Sequence, residues 1–174
     1  VRQLFNGEKR IFSVNEPCFL YDSSFPRLLS TPSSYAYLKI AEGCSNHCSY
    51  CLIPSLRGKY RSRVPEDVAK EAKALVNLGV KELILIAQDT TFYGWDLGKK
   101  SSLLRLLEKL EKIDKLKWIR LLYTHPLHFT PSLVQMIARS KKICRYIDLP
   151  LQHTHNQILA RMKRPKFELA EKLV

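Results

Sequence analysis

The sequence predicts an α/β fold: an open, partial (β/α) barrel on a parallel sheet, preceded by a short β-hairpin and a linker. Three observations lead there. From Tyr35 onward, short apolar runs alternate with stretches of helical periodicity, the pattern of strands joined by crossover helices. A loop of polar or thiol residues follows each predicted strand, and in parallel sheets ligands gather beyond the carboxyl ends of the strands. The chain has 174 residues and is 45% hydrophobic, enough for one domain with a sizeable core.

In chain order, residues 2–14 read as a hairpin: Gln3-Leu4-Phe5, an Asn6-Gly7 turn, then Arg10-Ile11-Phe12. Residues 22–34 are rich in Ser and Pro and read as a linker, so that 1–34 precede a core of 35–174. Tyr35 to Ile40 is the first strand. Pro65, Glu66 and Asp67 open a helix, since proline suits the first turn and acids complement the dipole. Val68, Ala72, Leu75 and Val76 share its apolar face, and Gly79 ends it. Leu83 to Ile86 is a buried second strand, and Leu103, Leu106, Leu107 and Leu110 mark a second helix. Trp118 to Tyr123 is the third strand. Thr130-Pro131 caps a third helix carrying Leu133, Met136 and Ile137. Tyr146 to Leu149 is expected as a fourth strand, with a short helix near Asn156 to Met162 and another starting near Glu168.

The loop after the first strand carries Cys44, Cys48 and Cys51 in C-x3-C-x2-C spacing. Three thiolates can hold three irons of a 4Fe-4S cube and leave the fourth open to a small molecule. Structural zinc would want a fourth ligand; Cys18 and Cys144 are far off in sequence, and His47 is crowded by its neighbours. An odd cysteine count argues against a disulfide framework. Other loops bring Gln88-Asp89-Thr90-Thr91, Thr124-His125-Pro126 and Pro150-Leu151-Gln152-His153 to the same rim.

No apolar run approaches the roughly 18 residues a membrane span needs, and the N-terminus lacks a signal-peptide core. A reducing, cytoplasmic setting follows, with no membrane partner. Val1 and the helix-like run into Val174 suggest a fragment of something longer. Net charge is +13, concentrated at residues 57–63 and 139–166, which points to an anionic or ribonucleoprotein partner or to a solvated surface.

On these residues the chain resembles radical S-adenosylmethionine (radical SAM) enzymes: the cysteine loop follows the first strand and the aromatic Tyr50 precedes the third cysteine. It is more narrowly similar to the methylthiotransferases, through Lys39-Ile40-Ala41-Glu42-Gly43-Cys44, Cys51-Leu52-Ile53-Pro54 with Arg57-Gly58 and Ser62-Arg63, and Asp148-Leu149-Pro150-Leu151-Gln152-His153. Ile86-Ala87-Gln88-Asp89-Thr90-Thr91 with Tyr93-Gly94 resembles the branch that modifies an aspartate of ribosomal protein S12. The resemblance implies a TIM-like partial barrel of the radical SAM type, cut off after about four strand–helix units. It implies that Cys44, Cys48 and Cys51 ligate a 4Fe-4S cluster whose open iron takes S-adenosylmethionine. A 5′-deoxyadenosyl radical would then take hydrogen from the β-carbon of the S12 aspartate, where a methylthio group is added. Tyr50 would meet the adenine, Gln88, Asp89 and Thr90 would offer acceptors to the ammonium or ribose, Gln152 would face the cofactor, and Arg164 would pair with its carboxylate. Thr90 reads equally as a turn cap, Arg164 equally as a solvated charge, and His125, His128 and His153 as loop structure. No catalytic residue is expected beyond the cluster ligands.

The resemblance also implies a second cluster in an N-terminal domain, two further strands, a C-terminal RNA-binding-type domain, and a flavodoxin- or ferredoxin-type reductant. The chain alone is therefore expected not to be a competent methylthiotransferase. Two other readings stay open: a tRNA methylthiotransferase, and a non-catalytic zinc-stabilised RNA-binding module.

Overall fold

The computed structural model describes residues 15–98 and 102–173. The hairpin expected at 2–14 lies outside the described residues. The strands are β1 (Tyr35–Lys39), β2 (Ala41–Glu42), β3 (Arg61–Ser62), β4 (Glu82–Ile86) and β5 (Trp118–Leu121). The helices are α1 (Ile53–Arg57), α2 (Pro65–Asn77), α3 (Leu103–Glu111), α4 (Pro131–Arg139), α5 (Asn156–Arg161) and α6 (Phe167–Glu171).

β1, β4 and β5 form one parallel sheet in the order β1-β4-β5, with Tyr35 opposite Glu82 and Glu82 opposite Trp118. Ala36, Leu38, Leu83, Leu85, Ile119 and Leu121 lie on one face and are buried. They meet Val68, Ala72, Leu75 and Val76 of α2, Leu103, Leu106, Leu107 and Leu110 of α3, and Leu133 and Ile137 of α4 in one core. α2, α3 and α4 start where the sequence marks them, whereas α1 had no counterpart in the sequence pattern. Pro65 sits in the first turn of α2, Ser102 caps Arg105 N–H, and Thr130 Oγ1 accepts from Leu133 N at 3.2 Å. Gly79, at φ +103°, turns the chain out of α2 in a conformation that suits glycine.

The fourth strand, expected at Tyr146 to Leu149, does not form. Ile143 makes a single parallel bridge to Ile119, with Ile119 N to Lys142 O and Cys144 N to Ile119 O both at 2.8 Å. The chain then leaves the sheet. Arg145 and Tyr146 are exposed, so no apolar face holds them down. Farther on, Asp148 takes Tyr123 N–H with its side chain at 2.7 Å and Thr124 N–H with its carbonyl at 3.2 Å, which replaces a ladder. The described residues thus form a three-stranded open sheet rather than four strand–helix units.

The free edge of β1 is closed by side chains. Thr31 Oγ1 donates to Tyr35 O at 2.8 Å, Arg27 to Tyr37 O, and Arg63 Nη1 to Lys39 O at 2.7 Å. Each carbonyl that would template another strand is occupied, one of the ways proteins blunt an edge. Arg63 is 2% exposed and its guanidinium also pairs with Asp67 and Glu71, each at 2.6 Å, and lies 4.5 Å over the Tyr21 ring. Tyr93 Oη donates to its carbonyl at 2.6 Å. The linker is thereby fixed to the core.

Replacing Arg63 by Met leaves Asp67 without its cation and Glu71 with Arg27 alone. Loss of one partner of a buried ion pair costs about 3–5 kcal/mol, so urea unfolding should show a loss of that order.

Candidate metal and cofactor site

The cysteine loop is a closed excursion between β2 and β3. These pair antiparallel, Ala41 with Ser62 and Glu42 with Arg61, and pinch its two ends together. Gly43 sits in the crossing at φ +79°, where a Cβ would lie 2.2 Å from Lys59 O and 2.7 Å from Gly58 O. Only glycine fits there. Cys44 N then donates to Gly58 O at 3.2 Å, and Cys51 N to Cys48 O at 3.1 Å forms the turn that brings the second and third cysteines around. Cys44 is buried, Cys48 and Cys51 are half-buried, and none is in a disulfide.

A second limb holds the loop from the far side. Ser49 N donates to Met162 O at 3.1 Å and Ser49 Oγ to Arg161 O at 2.8 Å, which docks the end of α5 on the cysteines. Arg164 Nη1 lies 3.9 Å from Cys48 Sγ, and its Nη2 donates to Pro150 O at 2.5 Å. Tyr123, Gln152 and Lys163, in the loops of this rim, hold φ of +57°, +72° and +54°. Non-glycine residues in the left-handed region cost of order 1–3 kcal/mol each and cluster at functional sites.

The other expected residues divide. Tyr50 is 47% exposed at the loop surface beside Cys48. Gln88 lines a cavity of about 370 Å³ with Lys39, Ile53, Ile86, Ala87 and Tyr123, and its buried Oε1 has no partner. That orphaned acceptor is an open position for a donor. Asp89 and Thr90 do not offer their side chains to the rim. Thr90 is fully buried and its Oγ1 donates to Leu122 O at 2.5 Å. Asp89 is 1% exposed and points inward, taking His128 Nδ1 at 2.7 Å, Asn46 Nδ2 at 2.8 Å, Thr91 Oγ1 at 2.6 Å and Phe92 N at 3.2 Å. Both side chains are engaged within the protein: Asp89 caps the turn at Thr90–Phe92, and Thr90 ties it to the end of β5. Gln152 is exposed and makes no hydrogen bond among the described residues.

The electrostatics follow from burial. Burial raises the Cys44 thiol, with hydrogen bonds from Asn46 pulling the other way. Burial would also raise Asp89, but the bonds from His128 and Thr91 and the attraction of His128 outweigh it and hold the carboxyl below its usual range. Burial, with the Arg164 guanidinium next in weight, pushes His125 down to about 4, so that ring is neutral at pH 7.

The three cysteines fit a cluster better than a single ion. Sulfurs on one zinc, at about 2.3 Å from the metal, lie within roughly 4 Å of each other. Among the described residues, Asp89, His125 and His128 form the one group of three or more such ligands with atoms all within 4.8 Å of one another; the cysteines do not form such a group. Asp89 there already has two donors on each oxygen, so that group is a hydrogen-bond hub rather than a metal site.

Residues 38–174 match the family model described as the radical SAM superfamily. The chain belongs to the radical SAM superfamily. Among curated relatives, the ribosomal protein uS12 methylthiotransferase RimO of Heliobacterium modesticaldum is 53% identical over 164 residues, which is 94% of this chain and 35% of that protein. The protein of that name from Clostridioides difficile is 56% identical over 155 residues, 89% of this chain and 35% of its own. The chain thus spans about a third of the length of these relatives. A solved radical S-adenosylmethionine methyltransferase, TsrM from Kitasatospora setae with cobalamin and a 4Fe-4S cluster bound, superposes with TM-score 0.63 at 17% identity, covering 80% of this chain and 28% of that one. This likeness establishes the radical SAM fold.

Sequence reasoning missed Asn46, Tyr60 and the inward role of His128 in this radical SAM site. Tyr60 Oη donates to Asp89 O at 2.8 Å and its N–H to Ser45 Oγ at 3.2 Å. Asn46 lies inside the cysteine spacing, the one signal that marked it; the others have only local patterns that read as core or loop.

Gly43→Ala should distort the loop at a cost of about 1–3 kcal/mol and remove most of the iron taken up on reconstitution, with far-ultraviolet circular dichroism retained. The low value at His125 sets a pH dependence. Its unfolded ring titrates near pH 6.5 and its folded ring near 4. Between these values the unfolded state binds more protons, so stability falls as pH drops from about 7 toward 4, by at most about 3 kcal/mol from this group. His125→Asn should flatten that slope in urea melts across the window.

Proposed function

We propose that this chain is the radical-generating part of a methylthiotransferase that modifies an aspartate of ribosomal protein S12. The observation that carries it is the cysteine triad, set in one pinched loop at the carboxyl end of β1 in a radical SAM fold. Relatives more than half identical across about nine-tenths of the chain bear the uS12 methylthiotransferase name, which supports a protein rather than a tRNA substrate.

Cys44, Cys48 and Cys51 would hold a 4Fe-4S cluster. When bound, such a cluster with S-adenosylmethionine supplies one electron that breaks the sulfonium and yields a radical able to take hydrogen from an unactivated carbon. The chain's own residues bind and orient. Arg164, anchored to Pro150 O and beside Cys48, places a fixed cation next to the thiolates and within reach of an anionic carboxylate. Gln88 offers its unpartnered oxygen to a donor on the ligand, in a cavity walled by Ile53, Ile86 and Tyr123. Tyr50 gives an exposed ring at the loop surface for stacking. Burial of Cys44 would keep water from one side of a cluster held there. No helix among the described residues is long and apolar enough to cross a membrane. A reducing cytoplasm and a flavodoxin- or ferredoxin-type donor suit such thiolates.

The test uses the full-length protein, reconstituted anaerobically with iron and sulfide and mixed with S12, S-adenosylmethionine, a sulfur source and a reductant. The expected result is a brown protein absorbing near ~400 nm, 5′-deoxyadenosine release, and a methylthio group on one S12 aspartate by mass spectrometry. Replacing any one of Cys44, Cys48 or Cys51 by Ala should abolish all three. A colourless protein with stoichiometric zinc contradicts the reading.

A further inference from the structure

Lys39 sits where two cavities meet. On β1, Ala36 and Leu38 face the core, so Tyr35, Tyr37 and Lys39 face the other side of the sheet. Lys39 lies opposite Ile86, at the carboxyl end of β1. Both residues line the cavity of about 370 Å³ that holds Gln88 and Tyr123. Both also line a larger one, of about 560 Å³, that continues past Tyr37, Tyr21 and Phe25. Tyr37 and Tyr123 are exposed, so this face is open among the described residues. The first cavity takes the cofactor in the reading above. The second leaves room for a separate chain whose side chain reaches Lys39.

The base of the lysine is fixed and its tip is not saturated. Lys39 O accepts from Arg63 Nη1 at 2.7 Å and from Tyr21 Oη at 3.4 Å. Its ammonium pairs with Glu42 Oε2, the one acceptor it has among the described residues. An ammonium carries three N–H donors, so two are left. Glu42 does not depend on the lysine alone: its other oxygen has Arg57 Nη1 at 3.7 Å and the Gly43 N–H at 3.3 Å. One carboxylate therefore faces two cations. Burial, and after it the guanidinium groups of Arg57 and Arg61, lower the Lys39 pKa, as expected where positive charge is in excess. Lys39 is the one charged residue lining the smaller cavity, and in the larger one the carboxylate of Glu71 is taken up by Arg27 and Arg63. A carboxylate from a ligand is what this arrangement lacks.

We propose that Lys39 binds the side-chain carboxylate of the aspartate that is modified, and so selects an acidic residue of S12. The inference rests on the S12 reading above. In that reading hydrogen leaves the carbon next to this carboxylate, so holding the carboxylate holds the reacting carbon in place. The cofactor also has a carboxylate, but Arg164 stands beside Cys48 to meet it, which leaves Lys39 to the substrate.

The test measures binding of S12 to the full-length reconstituted protein, with S-adenosylmethionine and no reductant, so that nothing turns over. S12 is used unchanged and with the target aspartate replaced by asparagine, an uncharged isostere. The wild-type protein should bind the aspartate form at least about tenfold more tightly, as one charge-assisted hydrogen bond implies. Lys39→Gln should bind both forms alike, as weakly as wild type binds the asparagine form, while Lys39→Arg keeps the preference. Affinity for S-adenosylmethionine should be unchanged in Lys39→Gln. Equal binding of the two S12 forms by the wild-type protein overturns the inference without recourse to any variant. A Lys39→Gln protein that keeps the preference also overturns it, since the lysine then only braces Glu42. So does one that loses affinity for S-adenosylmethionine instead, since the lysine then holds the cofactor's carboxylate. A wild-type protein that binds neither form of S12 overturns the reading beneath it.

Discussion

The site depends on one buried cation. Arg63 follows directly on β3, its N–H donates to Ile40 O at 2.9 Å, and its guanidinium joins the end of β1 to Asp67 and Glu71 of α2. A two-residue ribbon has almost no stability of its own. Anchored at this root, β2 and β3 become a rigid neck, and the cysteine loop becomes a fixed excursion from the sheet rather than a mobile segment. The same arginine closes the edge of β1 together with Arg27 and Thr31, so one charge serves both the sheet boundary and the site.

From that neck the loop is held on three sides. The glycine crossing sets its entry and exit, the end of α5 supports the middle through Ser49, and Asp89 grips it from the core through Asn46. Each support comes from a different strand–loop unit. The parallel sheet is what brings them together, because every unit returns to the same rim. Charge is arranged along the same lines, with Arg164 on the open side of the cysteines and the buried Asp89–His128 pair on the closed side.

Much of this was legible in the sequence. Helix starts were readable because Pro65, Thr130 and Pro131 act through local chemistry, and the buried strand at Leu83 to Ile86 because it is apolar on both faces. The cysteine spacing is also local, and it led to the family. The fourth strand was not legible: Tyr146 to Leu149 has strand-like composition, but pairing is a long-range property, and Asp148 spends its groups on Tyr123 and Thr124 instead. The inward bonds of Asp89 and Thr90 were not legible either, because polar residues after a strand suggest a ligand and only tertiary contacts show these capping a turn and fastening two loops. Arg63 looked like one more charge in a basic stretch; only the tertiary contacts show it buried and paired.

Three cysteines, rigidly held, would leave one iron of a bound cube open. Mössbauer spectroscopy of the chain reconstituted with iron-57, with and without S-adenosylmethionine, tests it most directly. The expected result is a 4Fe-4S spectrum in which a single iron site changes its parameters when S-adenosylmethionine is added, while the cysteine-ligated sites do not. A spectrum that is indifferent to S-adenosylmethionine, or a protein that takes up zinc and no iron, would contradict it.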